Sequence, residues 1–76
     1  MTKAYVLINS DIGKERKVMK DLEKIENVRG VWEVYGVYDI VTELEGNEKE
    51  DIDYCVRNKI RTLDDVRSIL AMFVVE

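Results

Sequence analysis

Apolar and polar positions in this chain switch back and forth between two periods. Lys3-Ala4-Tyr5-Val6-Leu7-Ile8-Asn9 is rich in strand formers and stops at polar Asn9-Ser10-Asp11, which predicts a strand. From Gly13 to about Glu26 the spacing becomes helical: Val18, Leu22 and Ile25 fall at i, i+4 and i+7, on one face. Val31 to Tyr35 predicts a second strand and Tyr38 to Leu44 a third. Gly36-Val37 between them fits a two-residue hairpin with glycine at its first central position. Gly46-Asn47 ends the third strand, and Asn47 with Glu50 resembles a capping box. The helix that follows runs to about Arg61, with Ile52, Val56 and Ile60 on one face, and Ser68 to Val75 predicts a fourth strand.

The predicted order is βαββαβ, and the chain carries a faint internal repeat. Lys24-Ile25-Glu26-Asn27-Val28-Arg29-Gly30-Val31 aligns with Thr62-Leu63-Asp64-Asp65-Val66-Arg67-Ser68-Ile69, 38 residues on; Val18 and Leu22 meet Val56 and Ile60 at the same offset. Two βαβ halves with right-handed crossovers interleave into one sheet. The expected fold is therefore α+β: a ferredoxin-like plait of residues 1–76, a four-stranded antiparallel sheet with two helices on one face.

Two strands break the alternation that such a sheet requires. Ala4-Tyr5-Val6-Leu7-Ile8 and Ile69-Leu70-Ala71-Met72-Phe73-Val74-Val75 are apolar on both faces. Helices cover one face only, and a contiguous apolar patch on the other is rare in soluble monomers. A second subunit laid against that face accounts for the pattern. The chain length points the same way, because 76 residues bury only about 60% of their unfolded surface. A single cysteine, Cys55, excludes an internal disulfide, and with no histidine there is no zinc or iron–sulfur spacing. Oligomerisation is the support that remains.

Charge narrows the function. The net charge is −4; residues 1–38 hold seven basic and six acidic groups, residues 39–76 five and ten. Nucleic-acid binders concentrate positive charge, so direct DNA or RNA binding is not expected. No apolar run reaches the roughly 18 residues of a membrane span. The N-terminus leads straight into a strand with no signal peptide, which with the free cysteine points to the cytoplasm.

Catalytic chemistry has little to work with. Cys55 lacks a histidine base and reads as a small residue at the edge of a helix face. Glu48, Glu50, Asp51 and Asp53 lack calcium-loop spacing and open a helix, where negative charge suits the macrodipole. Gly30, Gly36 and Gly46 form no phosphate-binding pattern. No enzyme and no cofactor are expected. The segment Val31-Trp32-Glu33-Val34-Tyr35-Gly36-Val37-Tyr38-Asp39-Ile40-Val41 stands apart. A glycine turn there carries aromatics and one carboxylate, so its N–H groups suit a carboxylate and Asp39 an ammonium, as in an amino acid. Alternatively, Asp39 accepts hydrogen bonds from its own turn.

Val34-Tyr35-Gly36-Val37-Tyr38-Asp39-Ile40-Val41 resembles the glycine-turn signature of the RAM domain, the effector-binding half of the Lrp/AsnC transcription regulators. The likeness extends to Val28–Val31 and to the ending from Val66 onward, and so covers essentially the whole chain. The regulators also carry an N-terminal helix-turn-helix domain; this chain begins at the first RAM strand and is similar to the stand-alone RAM proteins. The resemblance implies a dimer of α/β-barrel type held sheet to sheet, further assembly into rings, and amino acids bound where dimers meet. Carried to this chain, the ligand residues are Tyr35, Gly36, Val37, Tyr38 and Asp39, with Ser68, Ile69 and Ala71 as a cross-subunit wall. Ile69 and Ala71 stand where the family often has threonines, and Asp65 where it usually has glycine. Two functions follow. One is small-molecule sensing, of an amino acid or a related metabolite, with regulation through partner subunits that include full-length regulators. The other is a structural assembly module with a degenerate pocket.

Overall fold

A computed structural model describes residues 1–75. The elements are β1 (Thr2–Ser10), α1 (Glu15–Glu23), β2 (Val28–Glu33), β3 (Ile40–Gly46), α2 (Lys49–Cys55) continuing through a π-helical turn (Val56–Ile60), and β4 (Val66–Phe73). The strands form one antiparallel sheet in the order β2-β3-β1-β4. This is the expected ferredoxin-like plait.

The core lies between the helices and one sheet face. Ala4, Val6 and Ile8 from β1 and Ile40 and Leu44 from β3 are buried against Val18 and Leu22 of α1 and Ile52, Cys55, Val56 and Ile60 of the second helix. Thr42 is buried among them because its hydroxyl donates to the Gly30 carbonyl at 2.9 Å. The internal repeat is visible in the backbone. Ile25 N–H donates to the Leu22 carbonyl and Leu63 N–H to the Ile60 carbonyl, both at 3.0 Å, and β2 and β4 start at the equivalent Val28 and Val66.

Three local expectations shift. The hairpin is not a two-residue turn: β2 stops at Glu33, β3 starts at Ile40, and Val34 N–H donates to the Asp39 carbonyl at 2.8 Å across the loop between. Asp39 is tied to β1 instead of extending a hairpin, which sets where β3 begins. The reciprocal pair at the start of α2 lies one residue later than Asn47 and Glu50. Glu48 N–H donates to Asp51 Oδ2 at 3.0 Å, and Asp51 N–H to the Glu48 carbonyl at 3.1 Å. Finally, the second helix widens into a π turn, closed by Arg61 N–H to the Val56 carbonyl at 2.8 Å. Apolar residues at i, i+4 and i+8 drift about 40° per step around a 3.6-residue helix. The wider turn takes up part of that drift and keeps Val56 and Ile60 on the core. Asn58 Nδ2 and Thr62 Oγ1 donate to the carbonyls of Tyr54 and Asn58.

Candidate functional site

Register puts one set of apolar side chains on the sheet face that the helices leave open. Trp32 pairs with Val41, Val41 with Leu7 and Leu7 with Leu70, which gives a row across all four strands; Tyr5 and Met72 continue it on β1 and β4. Leu70 and Met72 are 44% and 45% exposed and Trp32 48%. The rim of this face is polar. Lys3 Nζ meets Glu43 Oε2 at 3.3 Å, and this contact raises the Lys3 pKa, while Arg29 Nε meets Glu45 Oε1 at 3.1 Å.

A second feature lies where β1 ends and β3 and β4 begin. A depression of about 480 Å³ there is lined by Asn9, Ser10, Glu15, Asp39, Arg67 and Ser68, with Ile12 at its edge. That size is within the range of small-molecule sites, roughly 300–1,000 Å³. Asp39 is held on both sides of its backbone unit: its N–H donates to the Ile8 carbonyl at 3.0 Å, and its Oδ2 accepts the Ser10 N–H at 3.1 Å. The carboxylate thus clips β3 to the end of β1 rather than closing its own turn. Asn9 Nδ2 donates to Ser68 Oγ at 3.1 Å across the β1–β4 pair. Arg67 Nε stands 3.9 Å from Asp11 Oδ1, too far for a strong hydrogen bond.

The sequence-predicted residues separate into three groups. Asp39 and Ser68 come together in the depression of one chain. Tyr35, Gly36 and Val37 project into solvent on the loop, with Tyr38 half-buried beside Asp39. Ile69 and Ala71 pair with Ile8 and Val6, on the helix side of the sheet, and do not line the depression. Asp65, at the usual glycine position, has φ +71°. Its carboxylate meets Lys17 Nζ at 3.2 Å and raises the lysine's pKa with help from Asp21, while its carbonyl accepts Asp11 N–H at 2.7 Å. Ser10, Glu15 and Arg67 also line the depression and carry no site signal in the sequence. The repeat aligns Arg67 with Arg29, but both look like ordinary polar strand residues.

The chain is thus a βαββαβ plait with an apolar open sheet face and a charged hollow at one sheet end. Residues 3–76 match the Lrp/AsnC ligand binding domain, and the chain belongs to that family. The crystal structure of FFRP-DM1 is 31% identical with a TM-score of 0.94, covering 99% of this chain and 100% of that one. The hypothetical protein PHS023 from Pyrococcus horikoshii is 30% identical with a TM-score of 0.93, covering 100% and 92%. The transcriptional regulator NMB0573 from Neisseria meningitidis, solved in complex with L-methionine, shares the fold at 13% identity and a TM-score of 0.86; the match covers 99% of this chain and 50% of that one. No curated protein matches the sequence.

Proposed function

We propose that this chain is a cytoplasmic sensing domain that binds an α-amino acid or a related metabolite at the end of its sheet, performs no catalysis, and signals through assembly. The observation that carries the reading is the presence of Asp39 and Arg67 in one depression. A carboxylate and a guanidinium facing one hollow complement the ammonium and carboxylate of a zwitterion. Membership of a ligand-binding family supports it, and the methionine complex of a fold relative agrees with the ligand class.

Assembly is the second half of the proposal. Two copies bury the row Trp32–Val41–Leu7–Leu70 against each other in an α/β-barrel-type dimer, and the exposed loop bearing Tyr35, Gly36, Val37 and Tyr38 reaches a neighbouring dimer in a ring. Ser68 stands in the depression of its own chain, while Ile69 and Ala71 lie on the helix side of the same strand and stay outside it; the neighbour's loop closes the pocket from the other side. The net charge of −4 disfavours binding to nucleic acid, so regulation passes through partner subunits, including full-length Lrp/AsnC-type regulators. The competing reading is an assembly module with a degenerate pocket, in which no ligand meets Asp39 and Arg67.

A thermal-shift screen of the twenty amino acids separates the two. A ligand at a hundred times its Kd adds about 2.7 kcal/mol to stability. One or a few stabilising amino acids are expected; no shift with any of them supports the assembly module instead.

A further inference from the structure

We infer that the amino acid taken by this depression carries a cationic side chain, as lysine, arginine or ornithine does. The inference rests on the amino-acid reading of the site and narrows its ligand class. Three charged side chains line the hollow: Glu15, Asp39 and Arg67. A neutral amino acid satisfies two of them, its carboxylate meeting Arg67 and its ammonium meeting Asp39. Glu15 is left over. It is half-buried at the start of α1 and takes part in no ion pair among the described residues. Leaving a partly buried carboxylate beside a bound ligand without a counter-charge is unfavourable, and a ligand cation removes that cost.

The rest of the pocket supports this assignment. Asp39 gives Oδ2 to the Ser10 N–H, and Oδ1 has no protein partner among the described residues, so the carboxylate keeps an acceptor for an ammonium. Arg67 keeps its capacity for a carboxylate because its only ion-pair contact among the described residues, to Asp11, is long at 3.9 Å. Asp11 itself adds a further negative charge beside the hollow, against anionic ligands. Ser10 is 4% exposed, and its hydroxyl is buried without a hydrogen-bond partner among the described residues. Buried hydroxyls are rarely left unpaired; this one belongs to a residue in the wall of the depression.

Calorimetric titration of the whole chain tests the inference with L-lysine, L-arginine, L-glutamate and L-norleucine, the last being the lysine chain without its amine. Lysine or arginine is expected to bind at least about tenfold tighter than norleucine, the range of one charge-assisted hydrogen bond. Glutamate is expected to bind more weakly than any of the others. In Glu15→Gln the preference for lysine over norleucine is expected to shrink to within about threefold, with the melting temperature changed little. Norleucine binding as tightly as lysine overturns the inference and leaves amino-acid sensing standing. A lysine preference that survives Glu15→Gln also overturns it, since Glu15 then does not read the side chain. No binding of any of the four overturns the inference; the amino-acid reading then falls only if the screen of all twenty amino acids also shows no shift.

Discussion

The indole of Trp32 lies over Gly30, so close that a Cβ on Gly30 would stand 2.4 Å from Trp32 Cη2. Gly30 pairs with Glu43 in the row next to Trp32 and Val41, so the ring fills the space that its missing side chain leaves on the open face. Gly30→Ala is expected to push the indole outward. Its fluorescence should move to the red and self-association should weaken, both measurable on one sample. Unchanged emission would mean that the ring does not occupy this place in solution.

The open face itself is tested by Leu70→Lys. Leu70 is already part-exposed in a single chain, and surface substitutions usually change stability by within about 0.5 kcal/mol. The variant should therefore stay folded by circular dichroism. Light scattering should report a dimer or larger for the parent at micromolar concentration and a monomer for Leu70→Lys. A parent that is a stable, folded monomer contradicts sheet-to-sheet assembly.

Asp39 anchors the loop as well as the proposed ligand. Asp39→Ala leaves the Ser10 N–H without its acceptor, which costs about 1–3 kcal/mol. In a domain of this size each kcal/mol lowers Tm by roughly 4–8 °C. Asp39→Asn keeps an acceptor oxygen, so its melting temperature should stay near the parent's while affinity for a bound amino acid falls about ten- to hundredfold. Equal affinity in parent and Asp39→Asn would remove the ammonium contact and leave Asp39 as a strand clip alone.

Asp65 holds a left-handed backbone conformation that aspartate tolerates and β-branched residues resist. Asp65→Val should destabilise the chain by about 1–2 kcal/mol. Asp65→Gly relieves the conformational cost but loses the Lys17 contact, and its urea midpoint should stay close to the parent's. A parent-like midpoint for Asp65→Val would show that the turn can relax.

Burial raises the pKa of the Cys55 thiol above its ordinary value of 9.0. The folded chain therefore keeps the proton after the unfolded chain has lost it. This contribution is fully present below the unfolded pKa and declines as pH rises toward the folded one. Stability should fall above about pH 9, and Cys55→Ala should flatten that fall. Between about pH 6 and 8 no histidine titrates, so stability should stay nearly level. An alkaline slope identical in Cys55→Ala would assign the loss to other groups.

Most of the fold was legible because the core reports itself through spacing. Val18, Leu22, Ile52, Val56 and Ile60 fall on helical faces, and all five are buried. The two-faced strands were legible for the same reason: Tyr5 and Leu7 break an alternation that Ala4, Val6 and Ile8 obey. Tertiary contacts hid the remainder. The loop from Val34 to Asp39 is set by the bond between Asp39 and Ser10, 29 residues away, and no local pattern encodes it. The π turn leaves i, i+4 spacing intact and is invisible to it. At the candidate site, Asp39 stood out because it follows a glycine turn. Arg67 and Glu15 did not, since each is an ordinary charged residue at the start of its own element, and only the sheet topology brings them to one hollow.

The open apolar face also sets an order of events during synthesis. Its row draws Leu7 from the first strand and Leu70 from the last, joined by a β1–β4 pairing that spans most of the sequence. β4 has to be made and clear of the ribosome before that pairing can close, and pairings this distant in sequence form late. A nascent chain therefore has no finished surface to offer a sister chain. In the proposed assembly, subunits would meet as completed monomers, and the composition of a mixed assembly would follow the concentrations of finished chains in solution, not the neighbourhood of polysomes from which they came.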